Sequence, residues 1–319
     1  MSTVLYLLRR LLQAAVVIIL VTIVVFCLLH ALPGGPARGI LGVHATPVQI
    51  AEFDRQQGLD KPLVVQYFYY LGTLLQGNLG TSYTLNAPVA QLIAERLPKT
   101  LVLTVIQAIV ALVIALPLGI GQAARRNKPL DYIATTLSFV AYATPVFFLG
   151  LIMIVIFSQV LPWFPSQAPN GNTLAQVFSD PSGLVLPVLT GAVAMVAVFS
   201  RYMRASALEN LSEDYVRTAR AGGSSEFAIL RTHVFRNSLT SVVAMLGYYV
   251  PVLFGGALVI EQLFNYPGMG LLFWSAAQSS DYPVLLGCVL VISIATVIGS
   301  LLADVAQSII DPRVKVRSS

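Results

Sequence analysis

Six long apolar segments decide most of what this chain can fold into. They run over about 11–31, 100–123, 133–161, 184–206, 238–263 and 283–309. A helix needs about 20 mainly apolar residues to cross the hydrocarbon core of a bilayer, and each segment meets that length. Lipid offers no water to free peptide groups, so a spanning segment must be a helix or part of a closed barrel. None of the six shows the two-residue alternation of a barrel strand, and helices are expected. Composition agrees: 56% of residues are hydrophobic and 10% charged, with a mean hydropathy of +0.79, far from an ordinary soluble domain. The expectation is an all-α membrane protein, a single domain over 1–319.

Arg9-Arg10 ahead of the first segment invites comparison with an export signal. The run from Leu11 to Leu29 exceeds a signal core of roughly 7–15 residues, and no small-residue cleavage site follows it. No further twin-arginine motif surrounds the pair either. A retained first transmembrane helix is expected.

Charge sets the orientation. With the N-terminus inside, 14 of the 19 lysines and arginines fall in inner segments, among them Arg125, Arg126, Lys128, Arg231 and Arg313. An even number of spans returns the C-terminus to the same side, so both termini are expected to be cytoplasmic. The net charge of +5 is thereby explained by span-flanking residues, with no call for nucleic acid. Cys27 and Cys288 lie inside apolar runs and imply neither a disulfide framework nor a metal site.

The connections are unequal. The first outer one, 32–99, is long enough to form an extracytoplasmic lobe between the first two spans. Thr46-Pro47 is a helix-start signal before the amphipathic stretch Val48–Gln57. Tyr67-Phe68-Tyr69-Tyr70 reads as an interfacial anchor or as a surface for a ligand or delivery protein. Pro117, Pro145, Pro187 and Pro251 sit within spans, where each can free a carbonyl and kink its helix.

Enzyme readings find no support. The chain has no His-Glu-x-x-His, no Gly-x-Ser-x-Gly and no cysteine–histidine metal spacing, so no catalytic residue, metal or cofactor site is expected. No Gly-Lys pair exists, which excludes an ordinary P-loop. Asp304, Glu261, Arg201 and Arg204 fall near expected span ends, where long side chains snorkel. A stand-alone secondary transporter usually keeps charges at the midplane or shows inverted repeats, and neither is apparent. The energy source is expected to lie in another chain.

The inner connection 207–237 holds the most ordered polar stretch: Glu213, Asp214, Tyr215, Val216, Arg217, Thr218, Ala219, Arg220, Ala221, Gly222 and Gly223. Ser212 can cap a helix beginning at Glu213, with the two acids at its positive end. Gly222-Gly223 would end it, glycine entering a left-handed conformation without strain. A second helix from Ser225 to about Asn237 would lead back to the membrane. Physical reasoning leaves two readings open: a rigid lever offered to a soluble partner, or an amphipathic helix lying on the lipid surface.

The segment resembles the cytoplasmic signature of ABC importer permeases, Glu-Ala-Ala, three residues, then Gly. Arg217-Thr218-Ala219 stands at the first three positions and Gly223 at the last, so Ala219 and Gly223 carry the match. Asp214 to Gly223, with His233-Val-Phe-Arg-Asn237, is similar to the peptide-importer branch. So are Leu32-Pro33-Gly34, Gly58-Leu59-Asp60-Lys61-Pro62, Gly77 to Ser82, Arg96-Leu97-Pro98-Lys99-Thr100, Pro267-Gly268-Met269-Gly270, Asp281-Tyr282-Pro283 and Asp311-Pro312-Arg313. Gly34-Gly35-Pro36 departs from the branch, which often has an acid after the glycine.

The resemblance implies a type I importer permease in a bacterial or archaeal cytoplasmic membrane. It implies a heterodimer with a homologous second permease and two ATPase subunits that bind ATP and Mg. An extracytoplasmic binding protein would deliver di- or oligopeptides, or, in related systems, glutathione or a nickel chelate. The 213–223 segment would be the coupling helix.

Overall fold

The computed structural model describes residues 3–31, 35–42, 44–171 and 173–310, without the side chains of 3–9, 11, 248, 251, 253–256 and 303–310. The motif residues Leu32-Pro33-Gly34, Asp311-Pro312-Arg313 and the side chain of Asp304 lie outside the described residues. The elements follow one another as α1 (Thr3–His30), α2 (Gly35–Leu41), α3 (Pro47–Gln57), α4 (Leu63–Leu75), α5 (Val89–Ala124), α6 (Pro129–Ala143), α7 (Val146–Ile154), α8 (Leu174–Val177), α9 (Ser182–Leu211), α10 (Asp214–Ala221), α11 (Glu226–Ile229), α12 (Phe235–Leu263), α13 (Met269–Gln278) and α14 (Tyr282–Ile310).

Four of the described helices are long and apolar enough to cross a bilayer: α1 over Leu12–His30, α5, α9, and α14 over Tyr282–Leu302. The segment expected as one span over 133–161 is different. It is α6 followed by α7 and the wider turn Val155–Val160, bent by 105°. Pro145 is the cause, because its ring drives the preceding residue out of the helical region. Thr144 is extended, at φ −79° and ψ 122°, and its hydroxyl donates back to the Val140 carbonyl at 2.7 Å. Counted as one span, this pair makes five. The fifth expected segment, 238–263, lies within α12.

Only Pro145, of the four prolines singled out, interrupts its helix. Pro117 and Pro187 stand inside the unbroken α5 and α9, and the backbone of α12 runs on through Pro251.

The chain divides into two compact units. The first comprises Met1–Thr100 and Pro267–Val297. Here Thr46 forms a full capping box with Gln49, with Pro47 at the first helical position, as its sequence foretells. The aromatic run of α4 splits by helical face. Tyr67 and Tyr70 pack toward Phe26 of α1, with ring centroids 5.4 and 6.2 Å away, and the Tyr67 and Thr22 hydroxyls are 3.1 Å apart. Phe68 and Tyr69 stay exposed. The loop after Gly80 closes around a buried carboxylate. Asp281 accepts from the Ser82 hydroxyl at 2.5 Å, the Thr84 hydroxyl at 2.7 Å, and the Tyr83 and Thr84 amides at 3.2 and 3.1 Å. Two motifs some 200 positions apart are thus one structural joint. Burial, helped by the Asp281 charge, pushes the Tyr83 hydroxyl up to about 12.

The second unit comprises Leu101–Tyr266 and Ile298–Ser319. Its spine is α9, which buries Leu186, Met195, Phe199 and Met203 among α5, α6, α7 and α12. Gly191 lets α5 approach closely, since a Cβ there would stand 2.4 Å from Gln107. That glutamine donates to the Pro187 carbonyl at 3.1 Å, satisfying a polar group in a buried interface.

Candidate functional site

The polar stretch expected as a handle is a helical hairpin belonging to the second unit. Its first helix starts one residue later than the sequence suggests. Glu213 is the N-cap, extended at φ −72° and ψ 150°, and its side chain caps nothing. Ser212 instead closes α9, donating from its hydroxyl to the Glu209 carbonyl at 2.6 Å. A serine between two helices can serve either one, and here the end of the longer helix takes it. Asp214 keeps the favourable place in the first turn and pairs with Arg217 at 3.2 Å, while Arg220 falls in the last.

The C-terminus of α10 follows the glycine rule closely. Gly222 is the cap at φ −76°, and Gly223 is left-handed at φ +81°. The Gly223 amide donates to the Arg220 carbonyl and the Ser224 amide to the Ala219 carbonyl, both at 3.1 Å. Those two bonds define a Schellman turn, which satisfies carbonyls that the helix end leaves open. Ser225 then caps the next helix, its hydroxyl accepting from the Ala228 amide at 3.3 Å.

The expected second helix, Ser225 to about Asn237, does not end there. Between α11 and α12 lies one wider turn, Leu230–Val234, in which the Phe235 amide returns to the Leu230 carbonyl five residues back. The backbone stays helical at both joints, so the hairpin's second arm continues into the 29 residues of α12.

Packing fixes the hairpin. Val216, Ile229 and Val234 are fully buried with Ala207 and Ala123, and Tyr215, Ala219 and Leu230 close around them. The Tyr215 hydroxyl donates to Asn210 Oδ1 at 2.5 Å, and its ring lies 6.3 Å from that of His233. Arg220 reaches across the Gly-Gly turn and forks onto Glu226, Nε to Oε1 at 2.6 Å and Nη2 to Oε2 at 3.0 Å. That bond holds the Glu226 carboxyl below, and the Arg220 guanidinium above, their ordinary values.

The nominated residues therefore divide by face. Tyr215 and Ala219 turn inward with Val216. Asp214, Arg217, Thr218 and Ala221, spaced as one helical face, are exposed, as are Glu213, Arg220, Gly222 and Gly223. Asn210, Glu226 and the exposed Phe227 belong to the hairpin but escaped sequence reasoning. A partner six residues away across a turn has no helical spacing to reveal it.

Arg201 and Arg204 stand ten and seven residues before the end of the 30-residue α9, in its polar C-terminal stretch. Arg204 forks onto the buried Asp131, Nε to Oδ1 at 2.7 Å and Nη2 to Oδ2 at 2.8 Å. Arg201 rests against aromatic rings instead. Glu261 is fully buried in the last turn of α12.

Comparison with known proteins bears directly on this arrangement. Residues 115–316 match the family described as binding-protein-dependent transport system inner membrane component, and residues 3–104 match the corresponding N-terminal family. The oligopeptide transport system permease protein AppB of Bacillus subtilis is 37% identical over 312 residues, spanning 97% of this chain and 99% of that protein. A putative peptide permease protein of Brucella suis is 42% identical over 320 residues, spanning 98% and 99%. The glutathione transport system permease protein GsiC of Salmonella typhimurium is 37% identical over 312 residues, again spanning 98% and 99%. Among solved structures, an inward-facing form of the MetNI methionine ABC transporter has a TM-score of 0.55 at 15% identity, covering 70% of this chain and 97% of that one, a likeness of fold. The chain therefore belongs to the inner membrane components of binding-protein-dependent transport systems: it is a multi-pass permease subunit of an ABC importer and not itself an enzyme.

Proposed function

We propose that this chain forms half of the pathway through which an ATP-driven importer moves di- and oligopeptides, with the 213–223 segment as its coupling helix. The observation that carries the coupling role is the α10 hairpin, which has a core of its own yet leaves one whole helical face uncovered. A helix lying on lipid would turn its apolar side outward, whereas here Val216 points in and Asp214, Arg217, Thr218 and Ala221 point out. Small and charged groups on an exposed, braced helix suit the groove of a protein. The partner would be one of two ATPase subunits that hold ATP and Mg, on the cytoplasmic side of a bacterial or archaeal inner membrane.

Because α11 runs without a break into α12, closure of an ATPase pair would move the hairpin and the long helix together. Alternating access then needs only two arrangements of the spans, with ATP supplying the difference in free energy. A homologous second permease would complete the pathway. The 32–99 lobe would meet an extracytoplasmic binding protein, and α3, which buries none of its residues, offers a free surface for it.

Peptide cargo is inferred from the relatives, whose names cover oligopeptides and the tripeptide glutathione. The test is to purify this chain with the ATPase and second permease that copurify with it. Peptide delivered by the binding protein should stimulate ATP hydrolysis. A chain that purifies without any ATPase, or a complex unresponsive to every short peptide, would overturn the respective half of the reading. Deleting 40–90 is a poor test of the lobe, because it removes Ser82 and Thr84 from Asp281. Substituting the exposed Val48 and Glu52 of α3 is cleaner: binding-protein stimulation should fall without loss of assembly.

A further inference from the structure

Three residues apart on α9 stand two arginines with different surroundings. Asp131 neutralises Arg204 with both of its oxygens. No carboxylate among the described residues lies within ion-pair distance of Arg201. Its guanidinium carbon sits 4.5 Å from the centre of the Phe139 ring and 5.3 Å from that of Tyr142, both within cation–π range. Arg201 is half-buried, and a cation held against rings rather than by a carboxylate is available to an anionic ligand. Ring contacts supply no hydrogen-bond acceptor in the plane of a guanidinium, whose five N–H donors call for one.

Space for that acceptor is present. Arg201 opens onto a cavity of about 640 Å³ lined by Phe139, Tyr142, Tyr202, Met245 and Tyr249. Small-molecule sites commonly hold roughly 300–1,000 Å³, apolar and aromatic with a few convergent polar groups. We infer that Arg201 is an anion subsite on the transport route, and that its ligand is the C-terminal carboxylate of the peptide. The surrounding rings suit side chains of any apolar kind, so the site would grip the one anionic group that all unmodified linear peptides share. This inference rests on the peptide reading above.

The test uses the complete transporter in proteoliposomes, with a dipeptide and its C-terminal amide as paired cargo. The binding protein's affinity for each is measured separately, so that its own preference can be divided out. Arg201→Gln should lower uptake of the free acid about tenfold or more, the scale of one lost charge-assisted bond, and bring acid and amide to the same rate. Arg201→Lys, which keeps the charge but not the fork, should retain part of the preference; it carries the test if the glutamine variant fails to assemble. An unchanged acid-to-amide ratio in an assembled variant overturns the inference. So does an equal loss for both cargoes, which would place Arg201 in subunit assembly. A loss that disappears in vesicles without anionic lipid would assign the arginine to an anionic lipid headgroup and overturn it as well. A wild-type transporter that imports neither cargo would instead refute the peptide reading itself.

Discussion

Gly223 offers the sharpest test of the coupling hairpin, because the structure separates its conformation from its contacts. At φ +81° it occupies the left-handed position of the Schellman turn, and a Cβ built there would meet nothing within 4 Å. Any penalty for a side chain is therefore one of backbone conformation, roughly 1–2 kcal/mol for an ordinary L-residue. That is a factor of about 5–30 against the native turn relative to alternatives. Gly222 is the internal control. Its φ is −76°, and a Cβ would stand 3.5 Å from the Ala219 and Thr218 carbonyls, an ordinary contact. Asparagine tolerates the left-handed region better than alanine, and a β-branched residue tolerates it least. The stimulation of ATP hydrolysis by delivered substrate, measured on the whole complex in nanodiscs, should fall in the order Gly, Asn, Ala, Val at position 223. Gly222→Ala should stay near wild type, and every variant should still insert in the membrane. Equal damage from Gly222→Ala and Gly223→Ala would show that the partner's fit, not the turn, limits coupling. A Gly223→Val complex with full stimulation would remove the turn from the mechanism.

Other elements make separate predictions. Val216→Ala should leave a cavity under the hairpin and cost on the order of 1–3 kcal/mol, seen as faster proteolysis around 212–225. Asp131→Asn should cost about 1–3 kcal/mol by weakening the hold on the partly exposed Arg204, and adding Arg204→Met should recover much of the lost thermal stability. Asp281→Asn weakens four hydrogen bonds at once, so hydrogen exchange across 80–88 should rise while 214–223 is unaffected. The Arg220–Glu226 pair has a sign fixed by its chemistry. Because the Glu226 carboxyl is held below its ordinary value near 4.5, its support for the turn is complete above that pH and is lost as pH falls through the lowered value. A spin label at 224 should loosen over that window in wild type, whereas Glu226→Gln should be loose throughout.

How far the sequence speaks can be judged from residues of one kind in different places. Local chemistry was legible: Thr46-Pro47 starts a helix, and Gly223 takes the left-handed turn, because both depend on neighbours within four residues. The spans were legible as apolar lengths, but length does not encode a bend. Pro145 breaks its helix while Pro117 and Pro187 do not, and residue type alone does not separate them. Ser212 was assigned to the wrong helix for a related reason, since it stands within reach of two backbone ends. Long-range pairs were the least accessible. Asp281 and the 82–84 loop were both visible as motifs, yet nothing in their spacing joins them. The two arginines of α9 make the point functionally. They share a residue type and a helix, and Asp131 lies 73 positions from Arg204. Its two oxygens are both engaged by the Arg204 fork, so its charge is already spoken for. Arg201, one turn earlier, rests on the Phe139 and Tyr142 rings and faces the same cavity as Arg204 without a carboxylate of its own among the described residues.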